Sequence, residues 1–252
     1  MKLWTRTLGA GPALVLLHGW GMNAGVWEAV LPRLSRRFRV TVIELPGHGG
    51  SGYDPRAATL SAWAEACLAA APAHAAWVGW SLGGQIAIQC ALQAPARVRR
   101  LLLVASTPCF AQRAGWPHAM DPQTLALFTR VLKRNPRQTL ARFLSLQVQG
   151  DEALRVTLRT LRQAMTSRPE PLPEALGQGL DLLNRVDLRD DLSRLRCPLN
   201  WLLGEQDALI PAAVAEDLAA LPGAGVTLLP GAAHVPFVSH PEPCAEWLEA
   251  NR

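Results

Sequence analysis

The sequence predicts a doubly wound α/β fold, a mostly parallel sheet wrapped by helices, with a helical insertion above one edge. Three observations predict it. Short apolar runs of four to six residues alternate with longer stretches of helical spacing, the pattern of parallel strands covered on both faces. The 252 residues, 49% hydrophobic and 18% charged, can bury a full core and are too apolar for a disordered chain. The alternation breaks once, between Pro108 and Val186, where nothing reads as a strand.

Taken in order, an N-terminal strand near Lys2–Leu8 is expected to run antiparallel to the others. ALVLL (Ala13–Leu17) is apolar throughout and reads as the first core strand; Val26–Phe38 then has helical spacing. VTVIE (Val40–Glu44), AAWVG (Ala75–Gly79) and RLLLVA (Arg100–Ala105) are further strands, separated by helices over Leu60–Ala71 and Gly83–Gln93. The insertion reads as helices over Pro122–Lys133, Pro136–Gln147 and Asp151–Thr166, with a Pro-rich turn at Arg168–Pro173. LNWLL (Leu199–Leu203), a helix over Val214–Leu221 and VTLL (Val226–Leu229) complete the alternation. The expected division is a core of residues 1–107 and 187–252 and a cap of residues 108–186. A helical cap inserted between parallel strands belongs above their carboxyl edge, where open α/β sheets bind ligands.

Several classes of function fall away. No apolar run with a small-residue cleavage site opens the chain, and ALVLL is too short to span a bilayer. The expectation is therefore a cytoplasmic chain without membrane association. Cys67, Cys90, Cys109, Cys197 and Cys244 are odd in number, scattered and without a CxxC, so they read as small buried hydrophobes rather than disulfides or zinc ligands. Pro46–Ser51 lacks the lysine and spacing of a phosphate loop, and neither GxGxxG after the first strand nor HExxH occurs. No metal and no cofactor are expected.

One pattern carries chemistry. Gly79-Trp80-Ser81-Leu82-Gly83 matches G-x-S-x-G, between a strand and a helix. So sharp a turn forces the serine into an unfavourable backbone conformation and aims its Oγ away from the sheet, beside the free N–H groups of the helix. A serine hydroxyl needs a base to attack at neutral pH. His234, in GAAHVPF after the last strand, is the candidate base. Asp207, in GEQDALIP after Leu199–Leu203, is the acid to orient it. His240 reads as opening the last helix, His74 and His118 as surface residues, and Asp187, Asp190 and Asp191 as caps or solvated charges. Two backbone N–H groups would stabilise an oxyanion. The expected donors are Leu82, after the nucleophile, and Trp20, in the loop Leu17–Gly21, where His18 is read as holding the loop.

These motifs occur in order along nearly the whole chain. HGWGMNAGVW, ELPGHGGS, GWSLGG, GEQDALIP and AAHVPFVSHP together resemble the α/β-hydrolase superfamily. Trp20 with Trp80, ASTPCF (Ala105–Phe110), Trp116-Pro117 and RFLSLQ (Arg142–Gln147) narrow the resemblance to the pimeloyl-[acyl-carrier protein] methyl ester esterases of biotin synthesis. The resemblance implies Ser81, Asp207 and His234 as the triad. It also implies a substrate site lined by Trp20, Leu82, Phe143, Leu144, Ser145, Leu146 and Gln147. Arg142, Arg155 and Arg159 match cap arginines that receive an acidic acyl-carrier protein. Two departures are visible: Gln138 stands where another cap arginine is usual, with Arg137 adjacent, and Glu44 replaces the usual Asp before Pro-Gly.

The charge distribution is an independent observation. The net charge of +5 lies wholly within Pro108–Val186, which holds ten Arg and one Lys against six acids; the remainder is balanced. Arg155, Arg159 and Arg162 would form one stripe of a helix, and Arg130, Arg134 and Arg137 repeat the spacing. Such a face would steer an acidic protein partner. No nucleic-acid-binding motif accompanies it, and the aromatics nearby are too few for stacking. The expectation is a monomer acting on a carrier-bound ester. One alternative is a small-molecule esterase, lactonase or C–C lyase of the same fold, in which cap arginines bind a small anion; another is a non-enzymatic binding protein of that fold, against which the intact triad weighs.

Overall fold

In the computed structural model, which describes residues 1–221 and 223–251, the apolar runs become strands. These are β1 (Thr5–Leu8), β2 (Ala13–Leu17), β3 (Arg39–Ile43), β4 (Ala75–Trp80), β5 (Val98–Val104), β6 (Leu199–Gly204) and β7 (Ala224–Leu229). Among the described residues they form one seven-stranded sheet, in the order β1-β3-β2-β4-β5-β6-β7. β1 is antiparallel to β3, and every other pairing is parallel. Alternate residues serve opposite faces: Val15, Leu17, Trp77, Leu101 and Leu103 enter one core cluster, and Leu14, Leu16, Val78, Leu102 and Val104 the other. Burial on both sides is why these strands are apolar throughout.

The helices are α1 (Leu31–Leu34), α2 (Leu60–Ala70), α3 (Leu82–Gln93), α4 (Pro122–Arg134), α5 (Pro136–Gln147), α6 (Leu154–Thr166), α7 (Pro173–Arg185), α8 (Val214–Ala219), α9 (Pro236–Ser239) and α10 (Pro241–Ala250). Three expectations need correction. The helix over Val26–Phe38 is broken into a 3₁₀ turn at Ala24–Trp27 and the four-residue α1. Pro32 lacks an N–H and suits only a first turn, so a new helix begins there. α6 starts at Leu154 rather than Asp151, because the Asp151 carboxylate accepts the Ala153 N–H at 2.7 Å and holds a turn. The insertion contains a fourth helix, α7, opened by Pro173 and burying Leu176, Leu180 and Leu183. Where no strand was expected there are three isolated bridges, Cys109 with Asp187, Ala111 with Met120 and Arg113 with Trp116.

The chain leaves β2 toward β3 on one side and later continues from β4 on the other, so the order switches between β2 and β4. Such a switch opens a crevice at the carboxyl edge. Helices α4–α7, inserted between β5 and β6, sit there: Phe143 of α5 packs edge-on against Trp20 at 4.8 Å, and the Leu176 carbonyl of α7 accepts the Trp20 indole N–H at 2.8 Å. The loop from α6 to α7 is bound to the core. Arg168 donates to both oxygens of Glu44 at 2.9 and 3.1 Å and lies 4.0 Å over the Trp4 ring. The Leu172 N–H reaches the Gly47 carbonyl at 2.8 Å. Among the described residues no helix is long and apolar enough to cross a membrane.

Candidate active site

Ser81 stands on the turn from β4 into α3 with φ 54° and ψ −122°, left-handed backbone that costs a non-glycine residue about 1–3 kcal/mol. The surroundings hold it there. Its N–H donates to Val104 at 3.1 Å, and its carbonyl accepts the Ser106 hydroxyl at 2.7 Å and the Gly84 N–H at 2.9 Å. The glycines are required by close approach. A Cβ on Gly79 would fall 2.5 Å from the Gly83 carbonyl, and one on Gly83 would fall 2.5 Å from the His18 carbonyl. Serine is the one side chain of the turn with a hydroxyl, and its Oγ is buried without a hydrogen-bond partner.

His234 follows β7 in a loop whose small residues allow close packing: a Cβ on Gly204 would meet the Ala233 carbonyl at 2.2 Å. The ring is fully buried, and Nδ1 lies 2.7 Å from Asp207 Oδ2. Asp207, after β6, is held by two amides, Leu209 N–H at 2.8 Å and Ile210 N–H at 3.0 Å, both donating to Oδ1. Since a carboxylate accepts, the proton of the neutral imidazole sits on Nδ1. Nε2 is thereby left as a buried lone pair without a partner. Trp80 ties the two halves together, its indole N–H reaching the His234 carbonyl at 2.8 Å and its ring 5.7 Å from the imidazole. Among the described residues His234 is the one histidine paired with a buried carboxylate; His118 meets Asp217 near the surface, and His240 is the N-cap residue of α10, its side chain making no capping bond.

Two segments next to the serine carry the backbone N–H groups expected as donors. Leu82 is the first residue of α3, where a helix leaves its donors unpaired. Trp20 lies in the loop after β2, which approaches so closely that a Cβ on Gly19 would be 3.1 Å from Ser81 Cβ. Its indole is wedged under α7, where a Cβ on Gly179 would be 2.6 Å away. No local pattern signals that contact with Leu176 and Gly179, which joins residues more than 150 positions apart.

The five residues Phe143–Gln147 lie on one helix, so they cannot share one face. Phe143 packs on Trp20, and the Gln147 backbone carbonyl accepts the His234 N–H at 3.1 Å, so these two touch candidate site residues. Leu144 packs into the core cluster of Trp80, and Leu146 is half-buried. Ser145 is exposed, bonded to its own helix at Ala141, and with Arg142, Arg162, Gln138 and Phe128 lines a cavity of about 350 Å³ among the cap helices. Arg142, Arg155 and Arg159 are exposed on the cap. Arg137, the neighbour of Gln138, is paired with Glu170 at 3.2 Å. Glu44, the other departure, has no part at Ser81; it is the buried partner of Arg168. Among the described residues no three His, Cys, Asp or Glu side chains are grouped to hold a metal.

A serine on a strained strand–helix turn and an imidazole held by a carboxylate, carried on the loops after β4, β7 and β6, are the groups that acyl transfer needs. The sequence profile of the alpha/beta hydrolase family matches residues 14–247. The solved structures agree at the level of fold: an esterase from Exiguobacterium antarcticum superposes with TM-score 0.87 at 21% identity, covering 98% of this chain and 94% of that one. The enol-lactonase from Burkholderia xenovorans gives 0.81 at 19% identity, covering 98% and 95%. Relatives in sequence are more specific. The pimeloyl-[acyl-carrier protein] methyl ester esterase of Klebsiella pneumoniae is 45% identical over 250 residues, 98% of this chain and 96% of that protein. That of Nitrosomonas europaea is 45% identical over 94% of each. The chain belongs to the alpha/beta hydrolase family and, within it, to the pimeloyl-[acyl-carrier protein] methyl ester esterases.

Proposed function

We propose that this chain hydrolyses the methyl ester of pimeloyl-[acyl-carrier protein], releasing methanol and the free carboxylate, through Ser81, His234 and Asp207. The observation that carries the reading is an imidazole whose Nδ1 is held by Asp207 and whose buried Nε2, like the buried Oγ of Ser81, has no hydrogen-bond partner of its own. Ser81 Oγ attacks the ester carbon while His234 Nε2 takes its proton; Asp207 stabilises the resulting imidazolium. The tetrahedral oxygen receives the N–H groups of Trp20 and Leu82, each such donor being worth about 10²–10³ in turnover. The ester C–O bond breaks, and the imidazolium gives its proton to the departing methoxide. Water, deprotonated by His234, then attacks the acyl-enzyme and frees the acid and Ser81.

The methyl ester of a carrier-bound chain is the substrate named for the relatives at 45% identity. The charge of the cap favours the same substrate: residues 108–186 act as a lid and carry the whole excess of positive charge. Arg142, Arg155 and Arg159 receive the acidic carrier protein, Phe143 and Trp20 line the acyl chain, and the enzyme works as a cytoplasmic monomer. The test compares pimeloyl-carrier-protein methyl ester with a free short-chain methyl ester at several salt concentrations. Ser81→Ala should lose activity on both, on the order of 10⁶-fold in kcat. Arg155→Glu with Arg159→Glu should lower kcat/KM for the carrier-bound ester about 10–100-fold and leave the free ester within about 2-fold. An unchanged rate on the carrier-bound ester would move the arginines to a small-anion role and remove carrier docking from the reading.

A further inference from the structure

His18 and His48 are both fully buried, with ring centroids 5.3 Å apart, and neither belongs to the triad. Their hydrogen bonds cross. His18, on the loop after β2, places Nδ1 at 2.8 Å from the Gly19 carbonyl, and its Nε2 accepts the Leu45 N–H at 3.0 Å. His48, on the loop after β3, places Nδ1 at 2.9 Å from the Pro46 carbonyl, and its Nε2 accepts the Gly21 N–H at 3.3 Å. Each ring thus grips its own loop through Nδ1 and an amide of the opposite loop through Nε2. A carbonyl only accepts and an amide N–H only donates, so both rings hold their proton on Nδ1 and a lone pair on Nε2. Burial keeps them neutral, as this requires. It lowers His18 to about 3, with the facing His48 adding to the effect, and lowers His48 to about 4.

The consequence lies in one peptide group. The Gly19 carbonyl and the Trp20 N–H belong to the same peptide unit, which is planar and trans, so they point in opposite directions. Fixing the carbonyl on His18 Nδ1, with the Met22 N–H as a second donor at 3.3 Å, fixes the direction of the Trp20 N–H. Gly21 needs this support on the following side. Its φ is +71°, and a Cβ there would lie 2.5 Å from the Leu140 side chain, so the position cannot be stiffened by a larger residue. The hydrogen bond to His48 supplies the constraint instead.

We infer that His18 and His48 form a crossed clasp of positioning residues that aims the Trp20 N–H at the oxyanion during the reaction. The inference rests on the reading of Trp20 as an oxyanion donor. Neither ring touches the reacting atoms; each acts through the backbone of Gly19–Gly21.

The experiment pairs an amide with an apolar residue at each position. His18→Asn keeps a donor for the Gly19 carbonyl, His48→Gln keeps an acceptor for the Gly21 N–H, and His18→Leu and His48→Leu keep neither. Sites are counted by exhaustive labelling of Ser81 with a fluorophosphonate, and kcat per labelled site is measured on a free short-chain methyl ester well below the melting temperature. The Leu variants should lose about 10–100-fold in kcat per site with KM within about 3-fold, and the amide variants should stay within about 5-fold of the parent enzyme. A role confined to folding would lower the labelled fraction and leave kcat per site unchanged; that result, or Leu and amide variants of equal kcat, overturns the clasp. If the Leu variants do not fold, ¹⁵N shifts of the unmodified protein decide: protonated Nδ1 and bare Nε2 on both rings support the clasp, and the other tautomer on either ring overturns it. Failure of the parent enzyme to label would overturn the Ser81 reading and the clasp with it, whereas a labelled parent with indifferent variants overturns the clasp alone.

Discussion

Replacing Arg168 by Ala should destabilise this protein strongly, although the residue lies in a loop. Its partner Glu44 has a side chain with no solvent exposure, against 27% for Arg168. Four donors serve the carboxylate: Arg168 Nε at 2.9 Å and Nη2 at 3.1 Å, the Gly50 N–H at 2.6 Å and the Ala24 N–H at 3.2 Å. The substitution removes two of these and the only positive charge of the pair, leaving a buried anion on two amides. Breaking a buried ion pair from one side costs about 3–5 kcal/mol. Water can enter where the partly exposed guanidinium stood, so the low end applies, about 3 kcal/mol. For a chain of this size that is roughly 6–12 °C in Tm. Thermal unfolding followed by circular dichroism measures it, in parallel at about 0.05 and 0.5 M NaCl, because a buried pair is screened far less than a surface one. The double variant Glu44→Gln/Arg168→Met, with neither charge, should recover at least half of the loss. A drop below about 2 °C, or one that vanishes in high salt, would refute the reasoning and make the pair an ordinary surface contact.

Two further outcomes are expected. Asp207→Asn keeps a side-chain oxygen for Leu209 and Ile210 but turns its donor toward His234, so kcat should fall about 10⁴-fold with little change in Tm; a loss below about 10-fold would remove Asp207 from the triad. The second concerns acid. The folded-state pKa values of His18 and His48 lie below their ordinary 6.5, at about 3 and about 4, so the unfolded chain takes up protons first. Their stabilisation is complete above pH 6.5 and is lost as pH falls toward the folded values, at up to about 1.4 kcal/mol per pH unit for each ring. Urea midpoints at about pH 7, 6 and 5 should therefore fall more steeply in the parent enzyme than in His48→Gln, and parallel slopes would contradict the burial argument.

Much of the fold was legible because its signals are local. An apolar run such as Leu199–Leu203 reads as a buried strand whatever lies beside it, and β6 begins where that run begins. Ser81 was legible for the same reason, since the glycines that its turn requires are its sequence neighbours. Asp207 and His234 could be named from their places after strands, but nothing in either segment specifies the 2.7 Å between them; the parallel order of β6 and β7 does. What failed also has a physical cause. Val26–Phe38 had helical spacing, yet Pro32 and the Asn23 cap on the Gly25 N–H broke it into two short turns.

By itself, then, the sequence determined the alternation of strands and helices, the serine turn, the order of the three triad candidates and the charge of the cap, all properties of residues near one another along the chain. The tertiary structure alone decided that Glu44 faces Arg168, 124 residues away, that Trp20 hangs on Leu176, 156 residues away, and that Phe143 packs on Trp20 while the Gln147 carbonyl holds the His234 N–H. It also decided that His18 and His48 cross-bind each other's loops. Contacts between such distant residues depend on which elements the sheet order brings together, and no local pattern encodes that.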